Sequence, residues 1–437
     1  MGSEKVSIQQ YDSGLSNDVL MALEQEHGSS FYLFNVNKLQ NNYEKMKKAF
    51  ADKYENFVIG YSYKTNYLPY LCKVLKEQGA YAEVVSRLEY VLAIKIGQDP
   101  KKIIFNGPLK NKDDIFQALR NESLLNIDSI YELQAVKEYC NLHPTKDVKI
   151  GLRLNFDLTM DGESPLVEGH KLSRFGLCVE NGEMEEAFYE CSLMKNLRIV
   201  GLLGHFSTSK REVKTFEKIT RFLCRTAKEH LQYEAIEYID VGGGLFGEVP
   251  KQLISDTPTF EEYAESICGV MNEEFSHWKN KPVLMIEPGI SLVANTFQFA
   301  AKVIGMKHIR TEKFILVDGS AYNIKPTFHK KNLPMKLLRK DELSRMHGSF
   351  HIVGYTCLEK DYLAMDVQGG MPKIGDYFLF ENVGAYSIVF NPPFIKERPA
   401  ILALKEGQEM FVVRKKETFE EFFGSSLHPI YTIGNEA

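Results

Sequence analysis

Between residues 56 and 290 the sequence switches eight times from a short apolar, β-branched run to a longer amphipathic stretch, and few folds accommodate that rhythm. The runs are NFVIGYSYKTN (56–66), AYAEVVS (80–86), KIIFNGP (102–108), SLLNIDS (123–129), VKIGLRLNF (148–156), RIVGLLGHFS (198–207), YIDVGGG (238–244) and PVLMIEPG (282–289). Segments such as YLPYLCKVLKEQG, KDDIFQALRN and VKTFEKITRFLCRTAKEHL lie between them, with apolar residues at steps of three and four. Parallel strands joined by helices produce this pattern, and eight such units close on themselves. The expected fold class is therefore α/β: a (β/α)8, TIM-like barrel over residues 37–290.

After residue 290 strand-like runs follow one another closely, as in FILVDGSA, SFHIVGYTC, GDYFLFENVGAYSIVF and EMFVVRKK, and helical periodicity becomes scarce. Residues 291–437 are expected to form an all-β, β-barrel-like domain. KPTFHKKNLPMKLLRKDELSRMHGS reads as a long basic loop within it. The opening segment, residues 1–36, ends in the strand-like FYLFNV (31–36) and is expected to pair with this β domain.

The 53 basic and 58 acidic residues leave a net charge of -5 with no long run of either sign, which argues against a nucleic-acid surface. The start lacks the apolar stretch of a signal peptide, and no apolar run reaches the roughly 18 residues of a membrane span, so a cytoplasmic protein without a membrane partner is expected. Seven cysteines, at 72, 140, 178, 191, 224, 268 and 357, show no CxxC spacing, and neither a disulfide framework nor a metal site is expected.

Active sites of such barrels sit at the C-terminal ends of the strands. There the runs finish on Lys64, Glu83 with Ser86, Asn106, Asp128, Arg153 with Asn155, His205, the triplet Gly242–Gly244, and Glu287. A lysine in a partly desolvated mouth is a competent Schiff-base nucleophile, although an exposed lysine opening the next loop explains Lys64 equally simply. Three glycines after the seventh strand can gather amides around a phosphate, and tight strand–helix turns use the same residues. Glu287, in MIEPG, can stabilise a protonated ring nitrogen, or merely cap its strand or pair with Arg153. The flat ring of His205 can lie against a planar cofactor, with the hydroxyls of Thr208 and Ser209 near a phosphate; a histidine is also a common structural residue.

A lysine, a histidine, a glycine triplet and a terminal EPG thus fall on runs one, six, seven and eight. In that order, and with AEVVSRLE (82–89), IIFNGPLK (103–110), LSRFGL (172–177), VDGS (317–320), GYTCLEKD (354–361) and GAYS (384–387), the chain resembles the fold-type III pyridoxal-phosphate decarboxylases, the family of diaminopimelate and ornithine decarboxylases. The resemblance covers nearly the whole length. It implies pyridoxal 5'-phosphate as cofactor, Lys64 as its Schiff-base lysine and His205 stacked on its ring. Gly242, Gly243 and Gly244 would meet the phosphate with Thr208 and Tyr386, and Glu287 of the EPG that ends on Gly289 would meet the ring nitrogen, with Arg153 completing the cofactor set. Glu83 stands where an aspartate is usual near the cofactor. Cys357 resembles the family's cysteine that returns a proton to the α carbon, and Asp361 follows in the same segment. That segment crosses from a partner subunit in the family, so a homodimer with shared active sites is implied.

Besides Glu83, the chain departs from the family pattern in the region expected to meet the substrate. Ile290 follows EPG where diaminopimelate decarboxylases usually carry arginine, and Leu358 follows the cysteine where glutamate is common. After VDGS the chain has Lys325-Pro326 and His329 in place of an Arg-Pro pair and a tyrosine. Lys325, His329, Leu358 and Asp361 are therefore the expected substrate-binding residues, and a distal carboxylate or an acidic conjugate is the expected substrate feature; a remodelled loop is the alternative. The expected reaction is pyridoxal-phosphate-dependent decarboxylation of an atypical or conjugated amino acid in a biosynthetic pathway. Diaminopimelate decarboxylation proper, amino-acid racemisation on the same fold and a non-catalytic regulatory relative are the alternatives.

Overall fold

A computed structural model describes residues 15–231, 235–327, 329, 331–341, 346–405, 409–424 and 426. The chain divides into two compact units, one formed by the described residues of 1–38, 250–255 and 294–437, the other by those of 39–249 and 256–293.

After β1 (Ser30–Asn35), the second unit holds β2 (Phe57–Ser62), β3 (Tyr81–Val84), β4 (Ile103–Phe105), β5 (Leu124–Ile127), β6 (Val148–Asn155), a two-residue β7 (Leu177–Cys178), β8 (Leu197–Leu203), β9 (Tyr238–Asp240) and β10 (Val283–Ile286). The order β5-β4-β3-β2-β10-β9-β8-β6, closed by β5 against β6, is an eight-stranded parallel barrel, with β7 added beside β6. Each of the eight apolar runs supplies one barrel strand, because a strand covered on both faces must be apolar almost throughout.

Helices between the strands cover the outside. Lys112–Arg120 opens on a capping box in which Asn111 and Asp114 exchange hydrogen bonds, and Phe260–Glu274 opens on another between Thr259 and Glu262. Ser86, at the end of its run, caps Arg87–Lys95 by accepting from the Glu89 amide, so its role is local. Inside the barrel the buried ring of Tyr238 fills the space that Gly151 and Gly201 leave, since a Cβ at either would collide with it. Its hydroxyl donates to Asn126 Oδ1 at 2.7 Å.

The first unit is built on β1, which lies antiparallel to β11 (Phe297–Ile309) and parallel to β17 (Ala400–Lys405). FYLFNV therefore pairs as its sequence suggests. The sheet runs β15 (Tyr362–Gly370), β14 (His347–Val353), β12 (Glu312–Val317), β11, β1, β17, β18 (Glu409–Arg414), mostly antiparallel, while β16 (Tyr377–Glu381) joins β11 to β13 (Met335–Leu338). Phe34 stacks on Phe297 with ring centroids 4.5 Å apart, one of several fully buried aromatic contacts, each side chain worth roughly 1.5–3 kcal/mol of burial. Two expectations are corrected. The segment read as one basic loop contains β13, whose Met335 and Lys336 are buried against β16. GDYFLFENVGAYSIVF is strand only as far as Glu381; beyond it Asn382 and Tyr386 adopt left-handed backbone that no ladder continues.

Candidate active site

At the mouth of the barrel, β2 ends in a single 3-10 turn, Tyr63–Thr65, which lifts Lys64 off the strand. Lys64 Nζ donates to Glu83 Oε2 at 2.8 Å, with one third of the lysine side chain exposed and the glutamate buried. Ser62 Oγ donates to the same oxygen at 2.5 Å. Asn106 Nδ2 then spans two strand ends, 3.2 Å from Glu83 Oε1 and 2.5 Å from Glu287 Oε1. Asn106 is held by Asn126, whose Nδ2 donates to Asn106 Oδ1 at 2.8 Å while its own oxygen takes the Tyr238 hydroxyl. A continuous buried line thus runs from the barrel core to Lys64.

His205 follows β8. Its Nδ1 accepts the Gly243 N–H at 2.8 Å, so in the neutral ring the proton sits on Nε2. Desolvation, then the positive charges of Lys64 and Arg153, hold its pKa well below the usual histidine range, so the ring is neutral. Arg153 binds Asp128 at 3.0 Å and the His205 carbonyl at 3.1 Å; it is Asp128, not Glu287, that it pairs with.

The glycine triplet is required by close packing. A Cβ on Gly242 would meet the His205 ring and one on Gly243 would strike the Glu287 carbonyl oxygen, while Gly242 and Gly244 hold φ of +70° and +99°. Of the three amides expected around a phosphate, two make internal bonds: the Gly242 N–H goes to Asp240 Oδ1 at 2.9 Å and the Gly243 N–H to His205. Gly289 serves a similar steric purpose, since a Cβ there would collide with Thr65 beside Lys64.

Asp240 and Glu287 are both buried. Desolvation raises Asp240 to about 6, against the help of the Gly242 amide, and pushes Glu287 well above the carboxylate range, with Asp240 and Glu83 adding repulsion.

A cavity of about 570 Å³ opens over these groups, lined by Lys64, Glu83, Asn106, Arg153, His205 and Glu287. Its outer wall, not assigned a role from sequence, is the segment from Leu166 to Phe175. The backbone of Thr208 is bridged to Leu166, and the neighbouring amides of Val167 and Ser209 bond to Ser207 and Pro165. The LSRFGL motif was the available signal: its Phe175 ring lies 4.9 Å from the Arg153 guanidinium and 4.1 Å from that of Arg174. Asn106 and Asp240 were likewise not singled out for a site role.

The remaining expected residues lie in the β unit. Cys357 is exposed and unpaired, and Leu358 follows it. Asp361 is buried, with Oδ1 accepting from Ser320 Oγ and the Ala321 amide at 2.9 and 2.7 Å and Oδ2 from the Thr356 hydroxyl and amide at 2.6 and 3.1 Å. Both oxygens are engaged in anchoring the cysteine segment to VDGS, so the expected direct contact to substrate gives way to a structural one. Lys325 is buried and brought down to about 8 by desolvation, against the pull of Asp361, whereas His329 is exposed. Tyr386 holds a left-handed φ of 60° and stacks on Phe390.

The barrel mouth fits a phosphorylated pyridine aldehyde: a primary amine, a neutral imidazole ring, and an acid facing a buried carboxylate oxygen, Asp240 Oδ2, to which no amine, amide or hydroxyl among the described residues donates. The pattern described as "Pyridoxal-dependent decarboxylase, pyridoxal binding domain" matches residues 36–294. The diaminopimelate decarboxylase of Aquifex aeolicus is 26% identical over 412 residues, spanning 93% of this chain and 94% of its own. That of Methanocaldococcus jannaschii is 26% identical over 449 residues, 99% of each chain. Among solved structures, the M. jannaschii diaminopimelate decarboxylase superposes with a TM-score of 0.84 at 24% identity over 94% of both chains. The Paramecium bursaria Chlorella virus arginine decarboxylase bound to agmatine does so at 0.71 and 22%, over 86% of this chain and 96% of that one; these two likenesses show the shared fold. Pyridoxal phosphate is the cofactor and an amino acid the substrate, and the chain belongs to the pyridoxal-dependent decarboxylase family.

Proposed function

We propose that this amino-acid decarboxylase holds its cofactor through Lys64, and that its substrate carries a distal acidic group or conjugate in place of the distal ammonium-bearing end of diaminopimelate. The observation that carries the first part is the line Lys64–Glu83–Asn106–Glu287, which joins the amine to the acid across the barrel mouth. Bound pyridoxal phosphate supplies an electron sink for the pair left behind when the α-carboxylate departs. Glu83 orients the Lys64 amine, Glu287 meets the ring nitrogen, and His205 presents a neutral ring face. Arg153, with Gly242, Gly243, Gly244, Thr208, Gly289 and Tyr386, completes the cofactor-binding set in this reading. Cys357 returns the proton to the α carbon from a second copy of the chain, in a homodimer with shared sites; its thiol is exposed and its segment is pinned by Asp361.

Support for the acidic substrate comes from Lys325, a buried lysine, and from Leu358, which offers no carboxylate to a distal ammonium; Ile290, without the charge of the usual arginine, marks a changed pocket but does not itself favour an acid. In this reading residues 37–290 form the cofactor-binding barrel, 291–437 the β domain, and 1–36 a segment that pairs with that domain. Among the described residues no helix is long and apolar enough to cross a membrane. With seven unpaired thiols, that composition suits the cytoplasm.

Diaminopimelate itself is the second reading, favoured by relatives that match over more than nine tenths of the chain. Carbon dioxide release from diaminopimelate and from acidic or conjugated amino acids separates the two. Release from the latter, with diaminopimelate accepted only after Leu358→Glu and Ile290→Arg, is the expected result; diaminopimelate as the best substrate of the wild type would establish the second reading.

A further inference from the structure

Strand β9 ends on Asp240 and its parallel neighbour β10 places Met285 opposite it, so Glu287, two residues further on, shares the face of Asp240 at the end of the barrel. Asp240 Oδ1 takes the Gly242 amide at 2.9 Å. Its Oδ2 is buried and, among the described residues, no amine, amide or hydroxyl donates to it. What faces it is the carboxyl of Glu287. A buried carboxylate oxygen turned toward a second carboxyl is costly unless a proton lies between them.

We propose that Asp240 is a positioning residue that keeps a proton on Glu287, ready for the ring nitrogen of the cofactor. The Gly242 amide favours the ionised form of Asp240, while Glu287 faces the negative charge of both Asp240 and Glu83, so the proton rests on Glu287 and is donated to Asp240 Oδ2. A basic ring nitrogen bound here would take that proton, the O–H bond of Glu287 breaking as the N–H bond formed, and Glu287 would be left as the carboxylate facing it. The proton would come from within the site, and none would have to be drawn from the solvent. The family role of an acid at the ring nitrogen says nothing of where its proton comes from; here the partner across the strand end supplies the means to store it.

The inference rests on the reading that Glu287 meets the ring nitrogen. The probe is 4'-deoxypyridoxine 5'-phosphate, which has no aldehyde and forms no bond to Lys64, titrated into cofactor-free protein by calorimetry in two buffers of different ionisation heat. At a pH above the free ring nitrogen's own pKa, the wild type is expected to bind with almost no proton drawn from buffer, and with an affinity that changes little with pH. Asp240→Asn places an amide donor against Glu287, ionises it in the empty site, and is expected to draw close to one proton and lose about tenfold in affinity per pH unit. Infrared difference spectra of the wild type alone give an independent reading: a protonated-carboxyl C=O band is expected in the empty protein and should vanish on binding. Full proton uptake by the wild type, or no such band, would overturn the inference if Glu287→Gln still weakens binding. Binding indifferent to Glu287→Gln would remove the underlying reading and the inference together.

Discussion

Asn106 Nδ2 lies 2.5 Å from Glu287 Oε1, although 181 residues separate the two in sequence, and the same nitrogen reaches Glu83 Oε1 at 3.2 Å. One buried amide therefore ties the acid at the end of β10 to the acid that holds Lys64. Replacing Asn106 by Ala removes the donor from two buried carboxyl groups and is expected to cost roughly 1–3 kcal/mol of stability, with a weaker hold on the cofactor. Thermal unfolding and equilibrium binding of pyridoxal phosphate check this; unchanged affinity would mean that Asn106 only supports the fold.

Beneath the mouth, Lys110 and Glu132 form an ion pair with both side chains fully buried at 3.0 Å, and Lys110 also donates to the Gly107 carbonyl. Glu132→Gln leaves a buried cation without its counter-charge and is expected to cost roughly 3–5 kcal/mol near neutral pH. Replacing both partners by apolar residues, Lys110→Met with Glu132→Leu, should restore most of that loss in urea denaturation.

Desolvation raises the Glu89 carboxyl from its ordinary 4.5 to about 7, against the Val85 amide that bonds to it. Below the ordinary value the group is protonated in both folded and unfolded chains and costs nothing. As pH rises toward 7 the folded state must hold a proton the unfolded state releases, and above it the penalty is complete, roughly 3 kcal/mol at about 1.4 kcal/mol per pKa unit. Glu89→Gln is therefore expected to raise the melting temperature in mildly alkaline buffer and to leave it nearly unchanged in acid; equal shifts at both would remove the titration from the explanation.

Lys325 titrates near 8 because burial disfavours its charge. If it receives a distal carboxylate, KM for that substrate should rise as pH passes through 8 while kcat moves less. Lys325→Met should raise KM at lower pH and abolish the dependence. A profile unaffected by the substitution would take Lys325 out of the substrate site.

All eight barrel strands could be read from the sequence, because an apolar run that ends on a polar residue is what a strand buried on both faces and open at one end requires. The seating of FYLFNV in the β sheet was legible for the same reason. Strand β13 was not: MKLL is four residues long, stands between Pro334 and Arg339 in a basic stretch, and is buried against β16. Lys64, Glu83, His205 and Glu287 were visible as strand ends, but their partners were not. Which acid Arg153 chooses depends on strand order around a closed barrel, and it chose Asp128. The amides of Gly242 and Gly243 look available in sequence and are occupied in three dimensions by Asp240 and His205. Asp361 shows the same limit, since its place beside Cys357 suggests chemistry while its hydrogen bonds show an anchor.

The attachment of the cofactor can be tested directly by reducing the pyridoxal-phosphate-loaded protein with borohydride and mapping the added mass by peptide mass spectrometry. The mass is expected on the peptide carrying Lys64, with no such adduct and no dialysis-resistant visible absorbance in Lys64→Ala. Attachment to a different lysine, or a visible band that survives in Lys64→Ala, would contradict the assignment.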